Sequence, residues 1–362
     1  MDLATVTANY TDLQRKYKGF TAPTVRVLLE GSDISEKVGL SDIRISLSTD
    51  SSSTSANFNI LLEYEYMNTD FSRTGVSSKV QLGARVAIEI GYIETERVFS
   101  GLIMSLDYVF EDGQSPYLQV ECMDAKKVMM KRKVPAMFKD KKITEVVTEL
   151  MGESPFSTYI EGMEVEPYGE KQDMISICSQ DDYRFCVDNA STIDYEFFIL
   201  QGKAYYRKTP ESASATMTLS PDWGIVSFRM ALSGSSLFQT CIINGVNSAD
   251  DENITKEAEL SGDFGAYADR MLDGADKHYL DANITEPEEA LKRAENRIQD
   301  AAREFGEITC RTVGIPELGP GRNIRIQGIS PVADGEYYVT SVTHTLDTGG
   351  FFTELKARVD TL

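Results

Sequence analysis

The chain has 362 residues, 41% of them hydrophobic and 9% aromatic, which suits ordinary cores in two or three domains and excludes a disordered or fibrous chain. With 57 acidic against 36 basic residues the net charge is −21, which repels phosphate backbones and argues against sequence-specific nucleic-acid binding. No apolar run reaches the roughly 20 residues that span a bilayer, so no membrane insertion is expected, and the start MDLATVTANYTDLQRKYKGF lacks the basic and apolar regions of a Sec signal.

Residues 4–17 predict a short helix. From about 22 to 124 the segments VRVLLEG, DIRISLS, NFNILLEYEY, VQLGARVAIEIG and FSGLIMSLDYVF alternate with period two between Gly, Ser, Asp and Asn. Such runs predict an antiparallel sheet that closes into a barrel or sandwich, so 1–125 reads as a β-barrel domain with an N-terminal helix. KKVMMKRKVPAMFKDKK, residues 126–142, is basic apart from Asp140, and reads as a solvated connector or as a docking strip for an acidic neighbour. ITEVVTELMG places Ile143, Val146, Val147 and Leu150 on one helical face and stops at Gly152. QDMISICSQDDYRFCVDNAST predicts a helix broken near Ser179, and YEFFILQGKAYYRK a hairpin turning at Gln201 and Gly202. Residues 126–212 therefore form a mixed α/β insert.

Strand patterns resume with ATMTLS, VSFRMAL and TCIINGV. An acidic, Gly- and Asp-rich excursion follows, and then TEPEEALKRAENRIQDAAREF, the strongest helix pattern of the chain. Thr285 and Glu288 form its capping box, Pro287 its first turn, and Leu291, Ala294, Ile298, Ala301 and Phe305 its apolar face. A second β-barrel is expected from 213–250 and 306–362, with 251–305 as the excursion and its helix. The fold class is mainly β (α+β): two related antiparallel barrels, a mixed insert and a smaller helical excursion.

The relation between the barrels rests on a repeat. IMSLDYVFEDGQSPYLQVE, residues 103–121, and VTSVTHTLDTGGFFTELKA, residues 339–357, superpose with Ser105 on Ser341, an offset of 236. Ile103 then meets Val339, Leu106 meets Val342, Tyr108 meets His344 and Phe110 meets Leu346; one gap later Tyr117 meets Phe352 and Val120 meets Leu355. Upstream, GARVAIEIG resembles PGRNIRIQG with a register that can slip by one residue. Three copies of a chain with two like barrels present six, enough to join a sixfold object to a threefold one.

Chemistry is sparse by comparison. Cys122, Cys178, Cys186, Cys241 and Cys310 form no CxxC pair and read as buried thiols. His278 and His344 have no partner at ligand or triad spacing, and there is no HExxH, GxSxG or P-loop. PELGPGRN lacks the lysine and the strand-to-helix setting of a phosphate cradle. No catalytic, cofactor-binding or metal-ligating residue is expected, and His344 reads as a packing or hydrogen-bonding residue in a strand. Trp223, in SPDWG, reads as a turn residue or a subunit-interface anchor.

GIPELGPGRNIRIQGISPVADGEYYVTSVTHTLDTGGFFTEL resembles the C-terminal signature of the phage late-control D family, the baseplate hubs of contractile tails, which is similar to the hub part of type VI secretion spike proteins. Gly314, Pro316, Leu318, Pro320, Gly321, Gly328, Asp334, Gly335, Tyr337, Val339, Val342, His344, Thr353 and Leu355 carry the pattern. In the insert, Asp181, Asp182, Tyr183, Phe185 and Gly202 occupy the places of the family's acidic pair, aromatic helix and turn, while Cys186 and Val187 depart from it. The resemblance implies a structural protein, synthesised in a bacterial cytoplasm and located in a virion tail baseplate or injection particle. It implies a homotrimer that adapts a sixfold tail tube protein to a threefold central spike, keeps a channel for DNA or payload, and meets baseplate wedge proteins, with a tape-measure protein as a further candidate partner. Because the second barrel runs to Leu362, the spike is expected on a separate polypeptide. Glu89, Glu121 and Glu354, on barrel strands opposite the packed alternates, are candidates to line that lumen or meet a neighbour, although Arg85 and Arg325 lie on similar strands. The alternatives are a hub-like cell-wall hydrolase, which zymography would reveal, and a carbohydrate-binding tail or adhesin module, which a glycan array would reveal.

Overall fold

The computed structural model describes residues 3, 9–50, 54–61, 79–113, 115–209, 214–247, 252–265, 268–281, 284 and 286–359. The chain opens with helix α1 (Tyr10–Lys16), capped by Asn9, whose side chain accepts the Thr11 N–H; the rest of the segment expected to be helical, residues 4–8, lies outside the described residues. Then come β1 (Thr24–Leu29), β2 (Ser32–Asp33), β3 (Gly39–Ser48), β4 (Ser55–Leu61), β5 (Arg85–Gly91), β6 (Thr95–Val109) and β7 (Tyr117–Met123). Alternate residues point into one core, as β4 shows with Ala56, Phe58 and Ile60 buried and Asn57 and Asn59 facing the other way.

The insert runs through α2 (Lys126–Met129), β8 (Ala136–Lys141), α3 (Ile143–Gly152), β9 (Gly162–Val165), β10 (Gln172–Ile177), α4 (Asp182–Thr192), β11 (Tyr195–Leu200) and β12 (Lys203–Lys208). It has its own core, in which Val146, Val147 and Leu150 of α3 meet Phe185, Phe197 and Tyr206. The β11–β12 hairpin turns at Gln201 and Gly202, both with positive φ, which is the two-residue turn that suits strand twist. Two expectations are corrected here. QDMISI is strand β10, with Ile175 and Ile177 buried at period two against β8, and only the part after Asp181 is helix, because the Asp181 side chain caps it by accepting the Arg184 N–H. The basic segment is not a solvated connector throughout: Lys126 is fully buried beside Asp124, and Arg132 reaches Asp182 at 2.7 Å and also pairs with Glu153.

Beyond the insert lie β13 (Met217–Leu219), β14 (Ile225–Leu232), β15 (Thr240–Asn247), β16 (Glu252–Glu259), α5 (Ala268–Leu272), β17 (Asp276–Leu280), α6 (Pro287–Arg303), β18 (Gly306–Val313), β19 (Arg322–Ile326), β20 (Gly335–Asp347) and β21 (Gly350–Val359). The segment TCIINGV, expected in the second barrel, is β15 and pairs instead with β16 and β17, so the excursion is a small sheet of its own covered by α6. The physical reason is Cys241 and Ile243, which bury against Ala290, Ala294 and Ile298 of that helix. Leu291, expected on the apolar face, is exposed, and Ala290 takes its place. Thr285 lies outside the described residues; Glu286 is the N-cap, with Pro287 opening the helix.

Among the described residues thirteen strands form one sheet, whose main path runs β14-β18-β21-β20-β3-β4-β7-β6-β5-β1-β2, with β19 and β13 branching from β20. The repeat is visible in the pairing itself. The ladder β3-β4-β7-β6-β5 of the first half recurs as β14-β18-β21-β20-β19 in the second. The β6–β7 register shifts between Ile103 and Ser105, and the β20–β21 register shifts between Val339 and Ser341, so each long hairpin bulges at the same offset of 236. The one-residue slip upstream is also resolved. Gly83, with φ 83°, donates its N–H to the Ile103 carbonyl, and Gly321, with φ 80°, donates to Val339, so these glycines correspond. The two halves share one sheet and one core: β20 pairs with β3 from Ser341↔Ser48 to Leu346↔Ile43.

Candidate functional site

The residues of the C-terminal motif converge on a buried knot in the second half. Gly314 packs so closely under Phe351 that an added Cβ would lie 2.2 Å from its ring, and its carbonyl accepts the Tyr92 hydroxyl at 3.0 Å. Pro316 and Leu318 are buried in the loop that follows. His344 is fully buried; its Nε2–H donates to the Leu318 carbonyl at 3.2 Å, which leaves Nδ1 to accept the Thr353 hydroxyl at 3.0 Å. Thr353 in turn accepts the Ile315 N–H at 3.0 Å. Burial pushes the His344 pKa down to about 4, so the ring is neutral at pH 7, with one nitrogen bonded to the loop and the other to Thr353. At the other end of the motif, Asp334 accepts N–H bonds from Gly328, Ile329 and Ser330, which lower its pKa and close the loop into Gly335. Tyr337 is buried and donates to the Ala333 carbonyl at 2.8 Å.

Two charged clusters, the first half-buried and the second buried, tie the other elements to this half. Lys16 of α1 bridges Glu96 of the first half and Glu317 of the motif loop, at 2.6 and 3.0 Å, and the Tyr17 hydroxyl donates to Glu317 at 2.6 Å. Glu196 of the insert accepts from Arg207 at 2.9 Å and from the Tyr338 hydroxyl, while Arg207 also reaches the Gly321 carbonyl at 2.6 Å. Burial raises the Glu196 pKa and Arg207 opposes it. None of these charges was legible as a site in the sequence, because the partners are far apart along the chain.

The residues proposed for a lumen are not all alike. Glu121 and Glu354 project from the face of the sheet opposite the core, where their cross-strand neighbours are Asn57 and Ser105, and Arg311 and Thr343. Arg44, Arg229 and Lys356 share this face, which is therefore polar and mixed in sign. Glu89 instead accepts from Arg26 at 3.0 Å and Thr95 at 3.2 Å, with Arg97 beside it. Trp223 sits in the turn between β13 and β14, its N–H bonded to the Ser220 carbonyl, and is 42% exposed. Among the described residues no cluster of His, Cys, Asp or Glu has metal-binding geometry. Four cysteines are buried, with burial pushing the Cys310 thiol up to about 12, and Cys178 is exposed. No helix of the described residues is long and apolar enough to cross a membrane.

Residues 20–348 match the family model described as Alg8 N-terminal domain. The chain belongs to this family. Its description differs from that of the late-control D family, which the C-terminal motif resembles. No curated protein matches by sequence. Among solved structures, the 43 kDa tail protein of prophage MuSo2 from Shewanella oneidensis superposes with a TM-score of 0.72 at 14% identity, covering 93% of this chain and 98% of that one. A tail protein from Neisseria meningitidis MC58 gives 0.70 at 14%, covering 94% and 97%. The E. coli c3393 protein, a component of the type VI secretion system similar to the T4 tail proteins gp27 and gp5, gives 0.56 at 11%, covering 88% and 73%. The mainly-β fold of this Alg8 N-terminal domain family member is thus one found in phage tail proteins.

Proposed function

We propose that the protein is the baseplate hub of a contractile phage tail or phage-tail-like injection particle. In this reading it is a non-enzymatic homotrimer, made in a bacterial cytoplasm, that joins a sixfold tube to a threefold central spike around a channel, and it meets tube, spike and wedge proteins. The observation that carries the reading is the repeat. Two halves with the same strand ladder and the same bulge lie edge to edge in one sheet, so three chains present six like units. The tail-protein fold and the motif knot, which serves packing, support it. Glu121 and Glu354 are the acids of the sheet that suit a lumen, Glu89 a neighbour contact and Trp223 a subunit contact. Mass in solution tests the trimer, and negative stain should show threefold rings with a central hole. A monomeric mass together with solid, unringed particles would overturn it.

A further inference from the structure

The small sheet of the excursion leaves one edge open beside its helix. Among the described residues β16 pairs with β15 alone, so every second N–H and C=O along its other edge turns outward. A groove of about 520 Å³ runs there between β16 and α6. The helix supplies Leu291, Glu295, Ile298 and Ala302, whose spacing of four, three and four residues puts them in one stripe. The strand side is residues 257–261, with Ala258 and Leu260 turned toward the helix and half-buried, and Glu257 and Glu259 turned the other way and exposed. We infer that this groove binds an extended segment of another protein, with apolar and basic residues in alternation, added as a further strand beside β16. The site lies outside the large sheet and holds whether or not the chain is a hub.

The open edge selects an extended backbone, since a strand is what takes up a row of outward N–H and C=O groups. The helix side selects apolar residues. Leu291 is 37% exposed while Ile298 and Ala302 beside it are buried, so side chains of an added strand that point to α6 would cover apolar surface. The other side selects basic residues. Glu257 and Glu259 are successive same-face residues of β16, and a Lys or Arg set across from each would form an opposite-charge pair. Glu295 adds a third carboxylate from the helix. Among the described residues no basic side chain lines the groove, and none of the three carboxylates is in an ion pair. Charge alone would serve to protect an edge strand from aggregation, but a protected edge has no need of a half-exposed leucine beside it. The net charge of −21 attracts the same basic partner and repels an acidic one.

Peptide titration of the full chain tests the site. The probe is a fluorescent peptide of alternating lysine and valine, eight residues long to match β16, compared with a lysine–serine peptide of equal charge and a glutamate–valine peptide. Anisotropy should show the lysine–valine peptide binding at least about tenfold more tightly than either. Leu291→Ser, and separately Glu257→Gln with Glu259→Gln, should each weaken that binding about tenfold with melting unchanged, since these side chains are exposed. Of two further peptides, N-methylated at every valine or at every lysine, one should lose binding and the other keep it, because only one set of N–H groups faces β16. Equal binding of the lysine–serine peptide, or an equal loss in Glu36→Gln with Asp107→Asn, two exposed acids elsewhere, would mean attraction to net charge and overturn the groove. Binding that survives both N-methylations overturns strand addition, and no binding of the lysine–valine peptide overturns the site. A mass in solution that falls when this peptide is added would mean that a second copy of this chain fills the groove, which overturns the foreign partner.

Discussion

The two halves of the large sheet share a backbone plan and differ in what they bury. At the rung where the second half sets His344 against Thr353, the first sets Tyr108 against Leu118. His344 is buried because β3 pairs across it and the Leu318 carbonyl closes over it, whereas Tyr108 is largely exposed at the other end of the sheet. The outer strands differ too: β1 joins β5 antiparallel, while β13 joins β19 parallel. The connection from β14 to β18 holds the whole excursion, where β3 and β4 are joined directly by the short segment 49–54. The two halves thus share the hydrogen-bond ladder and the bulge, which the backbone dictates, while their side chains differ according to what each half touches.

The largest test of that comparison is Glu196→Ala. It strips the second half of the buried acid that satisfies Arg207 and Tyr338, and breaking such a pair leaves an uncompensated charge that costs about 3–5 kcal/mol. Chemical denaturation should show this loss, and a change under 1 kcal/mol would mean that the insert is not clamped there.

The two corresponding glycines come next. Gly83 and Gly321 both have positive φ, but a Cβ at Gly83 meets only Tyr159 at 3.7 Å, while one at Gly321 meets Phe198 at 2.9 Å and Arg207 at 3.1 Å. Gly83→Ala should cost about 1 kcal/mol from backbone strain alone and Gly321→Ala about 3 kcal/mol, read from melting curves. Equal costs would deny that the second half is the more tightly packed.

His344 sharpens the comparison through pH. Its folded pKa of about 4 lies below the unfolded value near 6.5, so the unfolded chain binds the extra proton in between. The stability it contributes is present above pH 6.5 and lost as pH falls toward 4. The stability gap between wild type and His344→Gln should therefore narrow by up to about 3 kcal/mol across that window, while Tyr108→Phe in the first half should give a pH-independent difference.

The smallest effect belongs to the polar face. Glu121→Gln and Glu354→Gln should change stability by about 0.5 kcal/mol or less, as surface substitutions do. If these acids face the channel, the pair should slow ejection of DNA or payload; unchanged ejection kinetics would remove them from the lumen.

Period-two alternation, glycine turns and the offset of 236 were readable from the residues because each is set by the local backbone. Strand pleat decides which side chains face together, and a bulge shifts every later one. The helix α3, the β11–β12 hairpin and the repeated long hairpin were legible for that reason. What the chain does over long separations was not. Whether QDMISI lies in a helix or a strand depended on β8 being available to pair with it, and TCIINGV left the large sheet because α6 offered Cys241 and Ile243 a better cover. The joint of β20 with β3, the burial of His344 and the meeting of Lys16 with Glu96 and Glu317 are contacts between residues that only folding brings within reach, since no local pattern encodes which distant partner will neutralise a charge or cover an edge.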